Sequence, residues 1–475
     1  MKKTLLTLTM LSAALTAAAD DAQKVKLTTS RAAGETMTIV VNATRAGVTV
    51  DWGDGTPVSY VPERFGGLQE ITGTLAGSTV TIESAKGLNT LVAEDCDLTA
   101  ADFSAAPLMR SIYLQHNQLT SFSVSNLAVL RDLNLADNAI TSLTLSTTKQ
   151  PLIETLDLSG NAFTTTSFAY ATTNLRYLNL ADNQYKTLTI SKAADLDALI
   201  VSGNQLSALG LPGNISLLDA RDNNVAKITM PPAGMVKMQQ CLLDDNELAT
   251  LDLSASAALN TLTIARNGAT SVVLPAKAKL QVYDCSENAL SFGSLPTKAY
   301  APTVYFAYAP QAELDITNCG LHAGSWGSNY LPWLLMNPDY ANRQKAEYVL
   351  DLTPHKDGSA TNSVVMNFYA IVDGQPQLLK KASATDKEQD YSNVSGKVTM
   401  LKEFADVYIE MTDPAYPDLV ITTNHFASIN AAQEGIEAVV TDAASDNTAF
   451  DLQGRRVEAV REGLYIMGGK KVIVK

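Results

Sequence analysis

Positive charge, cysteine and histidine are scarce in this chain, and each scarcity closes off a class of function. Thirty-five Lys and Arg stand against 49 Asp and Glu, for a formal net charge of −14. Such a balance argues against nucleic acid and against anionic membrane surfaces, and an acidic exterior keeps a protein soluble. There are four cysteines, Cys96, Cys241, Cys285 and Cys319, with no C-x2-C pair. Neither a disulfide framework nor a zinc site is expected. The four histidines, His116, His322, His355 and His425, lie far apart. No H-E-x-x-H, G-x-S-x-G or phosphate-binding glycine loop is present. No catalytic constellation emerges, so the chain reads as a non-enzyme without cofactor or metal. Beyond the N-terminus no apolar run reaches the roughly 18 residues of a membrane span.

The first residues, MKKTLLTLTMLSAALTAAAD, combine a basic start at Lys2 and Lys3, an apolar run from Leu5 to Leu15 and an A-x-A site at Ala17–Ala19. That is the pattern of a secretory leader, placed at 1–19. Secretion permits disulfides, yet Cys241 and Cys285 occupy inward positions two repeats apart. At roughly 4.8 Å per strand step they are about 10 Å apart, too far to bridge. Buried thiols are expected instead.

What the chain has in quantity is repetition. Cys96, Asn117, Asn138, Asn161, Asn183, Asn204, Asn223, Asn246, Asn267 and Asn288 recur 19 to 23 residues apart. Each sits in the frame L-x-x-L-x-L-x-x-N-x-L, clearest in LRDLNLADNAI from Leu130, LRYLNLADNQY from Leu175 and LDALIVSGNQL from Leu196. The L-x-L core alternates as a short strand does, with side chains on one face pointing inward. One unit cannot bury that face alone, so neighbours must stack. The Asn amide offers both donors and an acceptor, and a buried column of them can satisfy the backbone where the chain leaves each strand.

This frame and period are similar to those of leucine-rich repeats. The layout resembles secreted repeat proteins of gut and oral anaerobic bacteria and the internalin type of surface repeat. The resemblance implies a cell-surface or exterior location and binding of a protein or host molecule. The fold expected is mainly β: a leucine-rich-repeat solenoid of 10–11 coils with an N-terminal β cap and a C-terminal immunoglobulin-like β-sandwich. The second, Thr- and Ser-rich triplet of each repeat, such as LATLDL at Leu248, predicts extended segments rather than helices on the convex side.

The divisions read as a leader at 1–19, a β cap region at 20–86, repeats at 87–309, a linker and sandwich at 310–430, and a linker and tail at 431–475. Within the cap, VDWGDGTPVSY from Val50 resembles the W-G-D-G signature of PKD-type domains, which implies Asp51 and Asp54 on a metal. The residues themselves favour a tight turn, with Gly53 and Gly55 at positive φ. The repeat pattern fades at TVYFAYAPQ from Thr303. LDITNCGL from Leu314 fits the frame again, either as an eleventh repeat or as the first strand of the next domain. Residues 320–346 read as an irregular connection. Strands follow in VVMNFYAIV from Val364, KVTML from Lys397, DVYIEM from Asp406 and LVITT from Leu419.

The stretch from 431 reads as a linker. The last residues carry Asp451-x-x-Gly454, Arg455-Arg456-Val457, Gly463-Leu464-Tyr465 and a basic end from Lys470 to Lys475. They resemble the sorting tail of the type nine secretion route, without its upstream aromatic-Pro-Asn-Pro element, and this implies the outer surface of a Gram-negative bacterium. A closing hairpin with Gly468-Gly469 as its turn is the alternative.

Candidate ligand contacts lie beside the inward leucines on the concave face. They are Tyr113, Asp157, Tyr177, Asn179, Ile200, Leu217, Asp219, Leu242 and Asp284. Ile200, Leu217 and Leu242 are expected as an exposed apolar patch, which marks contacts. The mix of Tyr177, Asn179 and Asp157 also suits a carbohydrate, so a glycan-binding surface protein is the second reading. Asp95, Asp137, Asp182, Asp222, Asp245 and Glu287 precede the repeat Asn and align on one rim. They read as turn residues in preference to a Ca²⁺ row, since Gly160 and Gly203 take the same place.

Overall fold

In the computed structural model the described residues are 22–43, 46–61, 66–85, 87–143, 153–165, 174–190, 193, 195–213, 215–231, 234–276, 279–292, 294–295, 302–313, 325–327, 365–386, 389–394, 397–400, 402, 404–428, 438–440, 449–450, 456–457, 463–467 and 470–474. All regular structure among them is strand. The chain divides into two units, Met1–Asn246 with Ala255–Leu259, and Glu247–Ser254 with Asn260–Lys475.

The first unit begins with two layers. Gln23–Thr29 pairs antiparallel with Thr79–Ser84 and with Leu98–Ala105. Thr36–Ala43 pairs with Gln69–Thr74 and Leu88–Val92. Their alternate residues Val25, Leu27, Met37, Ile39, Val80 and Ile82 are buried between the layers. The second half of the first repeat thus joins the cap sheet, and the cap strand Thr36–Ala43 opens the repeat sheet. Arg31 holds the seam, with its Nε donating to Asp97 Oδ2 at 2.9 Å and its Nη1 to the Thr36 carbonyl at 2.9 Å.

From Leu88–Val92 the sheet runs parallel and in register through Ser111–Tyr113, Asp132–Asn134, Thr155–Asp157, Tyr177–Asn179, Ala198–Ile200, Leu217–Asp219 and Gln240–Leu242. The middle residue of each, from Leu91 to Cys241, is buried. The Asn column does what its chemistry suggests. Asn138 Oδ1 accepts the Leu119 N–H of the preceding coil at 2.9 Å. Its Nδ2 donates to the carbonyls of Leu114, Leu135 and Ala136 at 3.0 to 3.1 Å. Asn117 does the same for the first coil, accepting from Cys96 and Leu98. Ala208–Gly210 pairs parallel with Lys227–Thr229, one of the extended segments expected opposite the main strands.

The residue just before each column position from Cys96 to Asn288 is left-handed: Asp95, His116, Asp137, Asp182, Asp222, Asp245, Arg266 and Glu287 have φ between +50° and +58°, and Gly160 and Gly203 have +60° and +64°. Asp, Asn and Gly visit this region at least cost, which explains the acidic rim as a turn preference. A Cβ built on Gly203 would also strike the Asp182 carboxylate of the previous coil. Gly203→Ala is therefore expected to destabilise by about 1–2 kcal/mol, nearly all of it backbone strain. Denaturant unfolding checks this, and an unchanged midpoint would refute it.

In the second unit the same coil appears at Thr261–Thr263, Val282–Asp284 and Tyr305–Ala307. Thr250–Asp252 pairs with Ser271–Val273 on the other side. The repeat does not fade at Thr303. Gln311 takes the column position, with Oε1 accepting the Leu290 N–H at 2.9 Å and Nε2 donating to the Cys285 and Tyr308 carbonyls at 2.9 and 2.7 Å. Leu314–Leu321 lies outside the described residues.

Two antiparallel sheets follow. One orders Gln375–Leu378, Val365–Val372, Phe404–Asp413 and Tyr416–Thr422, with Phe426–Ser428 also on Phe404–Asp413. The other joins Ser325–Gly327, Lys397–Met400 and Tyr391–Val394, so the connection read as irregular contains a strand. Phe368 and Tyr391 link the sheets, ring centroids 4.8 Å apart. Asp373 and Gly374, both at positive φ, make the hairpin turn between Val365–Val372 and Gln375–Leu378. Tyr416 packs on Phe292 and Tyr308, covering apolar groups at the last coil.

The tail residues form their own sheet, ordered Ala438–Val440, Lys470–Val474, Gly463–Met467, Ala449–Phe450 and Arg456–Val457. Ala438–Val440 falls in the stretch read as linker, yet it pairs parallel with Lys470–Val474. Met467 pairs with Lys470, as the hairpin reading requires.

Candidate functional site

The strand register sorts the candidate residues into rows. The third strand positions align Tyr113, Asn134, Asp157, Asn179, Ile200, Asp219 and Leu242 on consecutive strands of the first unit. The first positions align Ser111, Asp132, Thr155, Tyr177, Ala198, Leu217 and Gln240 beside them. Asp284 belongs to the second unit, between Thr263 and Ala307 in sheet order only through its own neighbours Thr263 and Ala307.

The Asp and Asn of the third row have a local reason to be there. Asn134, Asp157, Asn179, Asp219 and Asp284 each accept the N–H two residues on, at 2.9 to 3.3 Å. These Asx turns carry the chain out of the strand. Neighbours are also tied sideways, since Asn179 Nδ2 donates to Asp157 Oδ2 at 3.1 Å. Tyr113 and Tyr177 bracket this polar strip. Burial, then the Asp132 charge, pushes the Tyr113 phenol up to about 12. Burial and Asp157 raise Tyr177 as well. Both phenols remain neutral hydrogen-bonding groups at physiological pH.

The expected apolar patch is corrected. Ile200, Leu217 and Leu242 are each half-buried, and Leu217 lies in the other row. Asp219 stands between Ile200 and Leu242, itself buried and held by Arg221, Nη2 to Oδ2 at 2.7 Å. The repeat frame already places Ile200, Asp219 and Leu242 each four residues before an Asn and Leu217 six before one, so grouping the apolar x positions without separating the two rows produced the error.

One row went unread. The residues just before each strand, Arg110, Arg131, Glu154, Arg176 and Asp197, stack in order, each carbonyl accepting the next residue's N–H at 2.8 to 2.9 Å. Arg131 and Glu154 form an ion pair. Among the described residues Arg110 and Arg176 have no ion pair. The signal was present as the first x of L-x-x-L-x-L.

His116 is exposed at its left-handed turn, with Nδ1 at 3.4 Å from Asp137 Oδ2. In the W-G-D-G loop, Asp51 Oδ1 accepts the N–H groups of Gly53, Asp54 and Gly55 at 2.9 to 3.2 Å. Asp54 Oδ1 accepts the Thr56 N–H and hydroxyl, and these bonds hold its carboxyl below the usual range. Both carboxylates brace the turn through Oδ1. Cys96, Cys241 and Cys285 are buried free thiols, raised to about 11, 12 and 12, first of all by burial. Cys319 lies outside the described residues.

No family model and no curated protein matches the chain. Solved structures do. A leucine-rich-repeat protein of Leptospira interrogans is 20% identical, with a TM-score of 0.33, over 43% of this chain and 62% of that one. The functional domain of internalin J from Listeria monocytogenes is 16% identical, with a TM-score of 0.34, over 74% of this chain and 93% of that one. The complex of LRIM1 and APL1C contains a chain 23% identical, with a TM-score of 0.36, over 42% of this chain and 43% of that one. The matched segment thus spans less than two thirds of the first and third of these proteins.

Proposed function

We propose that this leucine-rich-repeat chain is a non-catalytic binding protein, secreted or displayed on the outer surface of a Gram-negative bacterium. It engages a protein or other host surface molecule through the strand face of its first unit. One observation carries the reading. Inward positions repeat almost unchanged from Leu91 to Leu218, while the outward rows change chemistry at nearly every strand. A stiff ladder with a varied, partly exposed face is organised for one complementary surface. The leader at 1–19 and the tail from Asp451 support export and surface display.

Capture from host extracts by the full chain tests it. Tyr177 and Leu242 lie at different rows of the face, neither in the Asn column. The double substitution Tyr177→Ala with Leu242→Ala is expected to weaken capture by about tenfold or more while the chain stays folded, with a stability loss of about 2–3 kcal/mol. Undiminished capture of every partner by the double variant removes this face from the function.

A further inference from the structure

In the second unit, the sheet that contains Val365–Val372 and Phe404–Asp413 has one face in a core and the other in solvent. Phe368, Ala370, Val407, Ile409, Met411, Leu419 and Ile421 fill the core side. On a solvated face the alternate residues should be polar. Instead a row of aromatic rings crosses the strands. Tyr369 stacks on Tyr408 with centroids 5.3 Å apart and planes at 13°, and Tyr408 stacks on His425 at 4.9 Å and 15°. Leu378, opposite Tyr369 in the register, extends the row and is 52% exposed.

The surroundings of the row are mainly neutral hydrogen-bonding groups. Asn367 pairs with Glu410, and Glu410 with Thr422, along one flank. The Glu410 charge, after partial burial, raises both phenols, which places its carboxylate at their edge. On the other flank Asp406 Oδ1 lies 2.5 Å from His425 Nδ1. One carboxylate is therefore matched by a base and one by two phenols. Both carboxylates are thus tied to a neighbouring ring group, where they repel an anionic partner and can accept hydrogen bonds from hydroxyls.

From this we infer that the solvent face of this sheet is a binding site for a neutral carbohydrate. Leu378 and the exposed parts of the aromatic rings would contact the C–H faces of sugar rings. The phenols, Asn367, Thr422 and Glu410 would exchange hydrogen bonds with sugar hydroxyls, which act as both donors and acceptors. The row crosses three strand spacings, about 14 Å, and so suits a short run of sugar units rather than one. The site is independent of the strand face of the first unit.

The test is titration calorimetry of the full chain with cellohexaose, laminarihexaose and mannohexaose, with a heparin hexasaccharide and hexalysine as charged arms. At least one neutral hexasaccharide is expected to bind saturably, with little dependence on salt. Tyr408→Ala should weaken it by about tenfold or more, a change of 1.4 kcal/mol. Glu410→Gln and Leu378→Ser, at the rims, should each weaken it severalfold and carry the test if Tyr408→Ala fails to fold. The Tyr177→Ala, Leu242→Ala variant should bind the saccharide as the parent does, which separates this site from the proposed protein-binding face. Overturning results are heats from none of the neutral sugars, binding of heparin or hexalysine alone, or neutral-sugar binding that survives the Tyr408, Glu410 and Leu378 changes.

Discussion

Replacing Asn183 with alanine is expected to destabilise the repeat unit by about 3–4 kcal/mol, because four buried backbone groups lose a partner at once. Its Oδ1 accepts the Phe163 N–H at 3.0 Å. Its Nδ2 donates to the carbonyls of Leu158, Leu180 and Ala181 at 2.9, 3.1 and 3.0 Å. The carbonyls have a second lone pair, and that of Ala181 already accepts the Gly160 N–H at 2.9 Å. The Phe163 N–H has no such fallback, so most of the cost falls there. Asn183→Asp keeps the acceptor, loses both donors and buries a charge, so it should cost at least as much. Amide exchange localises the effect. The Phe163 N–H should lose protection first, while the cap strand Thr36–Ala43 keeps its own, since repeat stability is carried between neighbours. A loss under about 1 kcal/mol for Asn183→Ala would show that the column follows the coil rather than holding it together.

The column also shows why so much of the fold was legible. A residue type whose chemistry is needed once per coil prints its period into the chain, and buried Leu at fixed offsets prints the strand face. Legibility stopped where the same physical task was done by another residue. Gln311 has the same amide on a longer stem, and Tyr283 and Phe306 stack at 5.7 Å in place of the leucines, so the coil at Tyr305–Ala307 left no L-x-L trace. Within the stretch read as linker, one strand was missed for a different reason. Ala438–Val440 is only three residues long and gains strand character from Lys470–Val474, a partner far along the chain.

The candidate site was less legible than the fold. Rows on a parallel sheet are set by register, and neighbours on a row are some 20 residues apart in sequence. Asp219 falls between Ile200 and Leu242 once each strand is aligned on its column Asn, a step that treating the x positions as one set passes over. No frame aligns Tyr369, Tyr408 and His425, which come from three different segments outside the repeats. Conversely, the acidic rim could be read correctly from local chemistry alone, because a left-handed residue is a property of a single position.

Gly73→Ala in the cap is expected to cost about 3 kcal/mol despite adding a single methyl group. Gly73 lies in the strand Gln69–Thr74, opposite Met37. A Cβ there would fall within the indole of Trp52, at its Cε2, Cζ2 and Nε1 atoms. The indole has little room to yield. Trp52 is buried, its Nε1 donates to Tyr60 Oη at 3.3 Å, and its carbonyl accepts the Ala76 N–H at 2.9 Å. Either the ring is expelled, exposing a large apolar side chain, or the strand shifts and disturbs its pairing. Expulsion should move the tryptophan emission to longer wavelength in the folded baseline and lower the unfolding midpoint together. The double variant Trp52→Ala, Gly73→Ala separates steric conflict from loss of glycine as such. With the indole gone, the added methyl has space, and the Gly73 change should cost less than about 1 kcal/mol in that background. An equal cost in both backgrounds would mean that the strand itself needs glycine at this position and that Trp52 is not the reason.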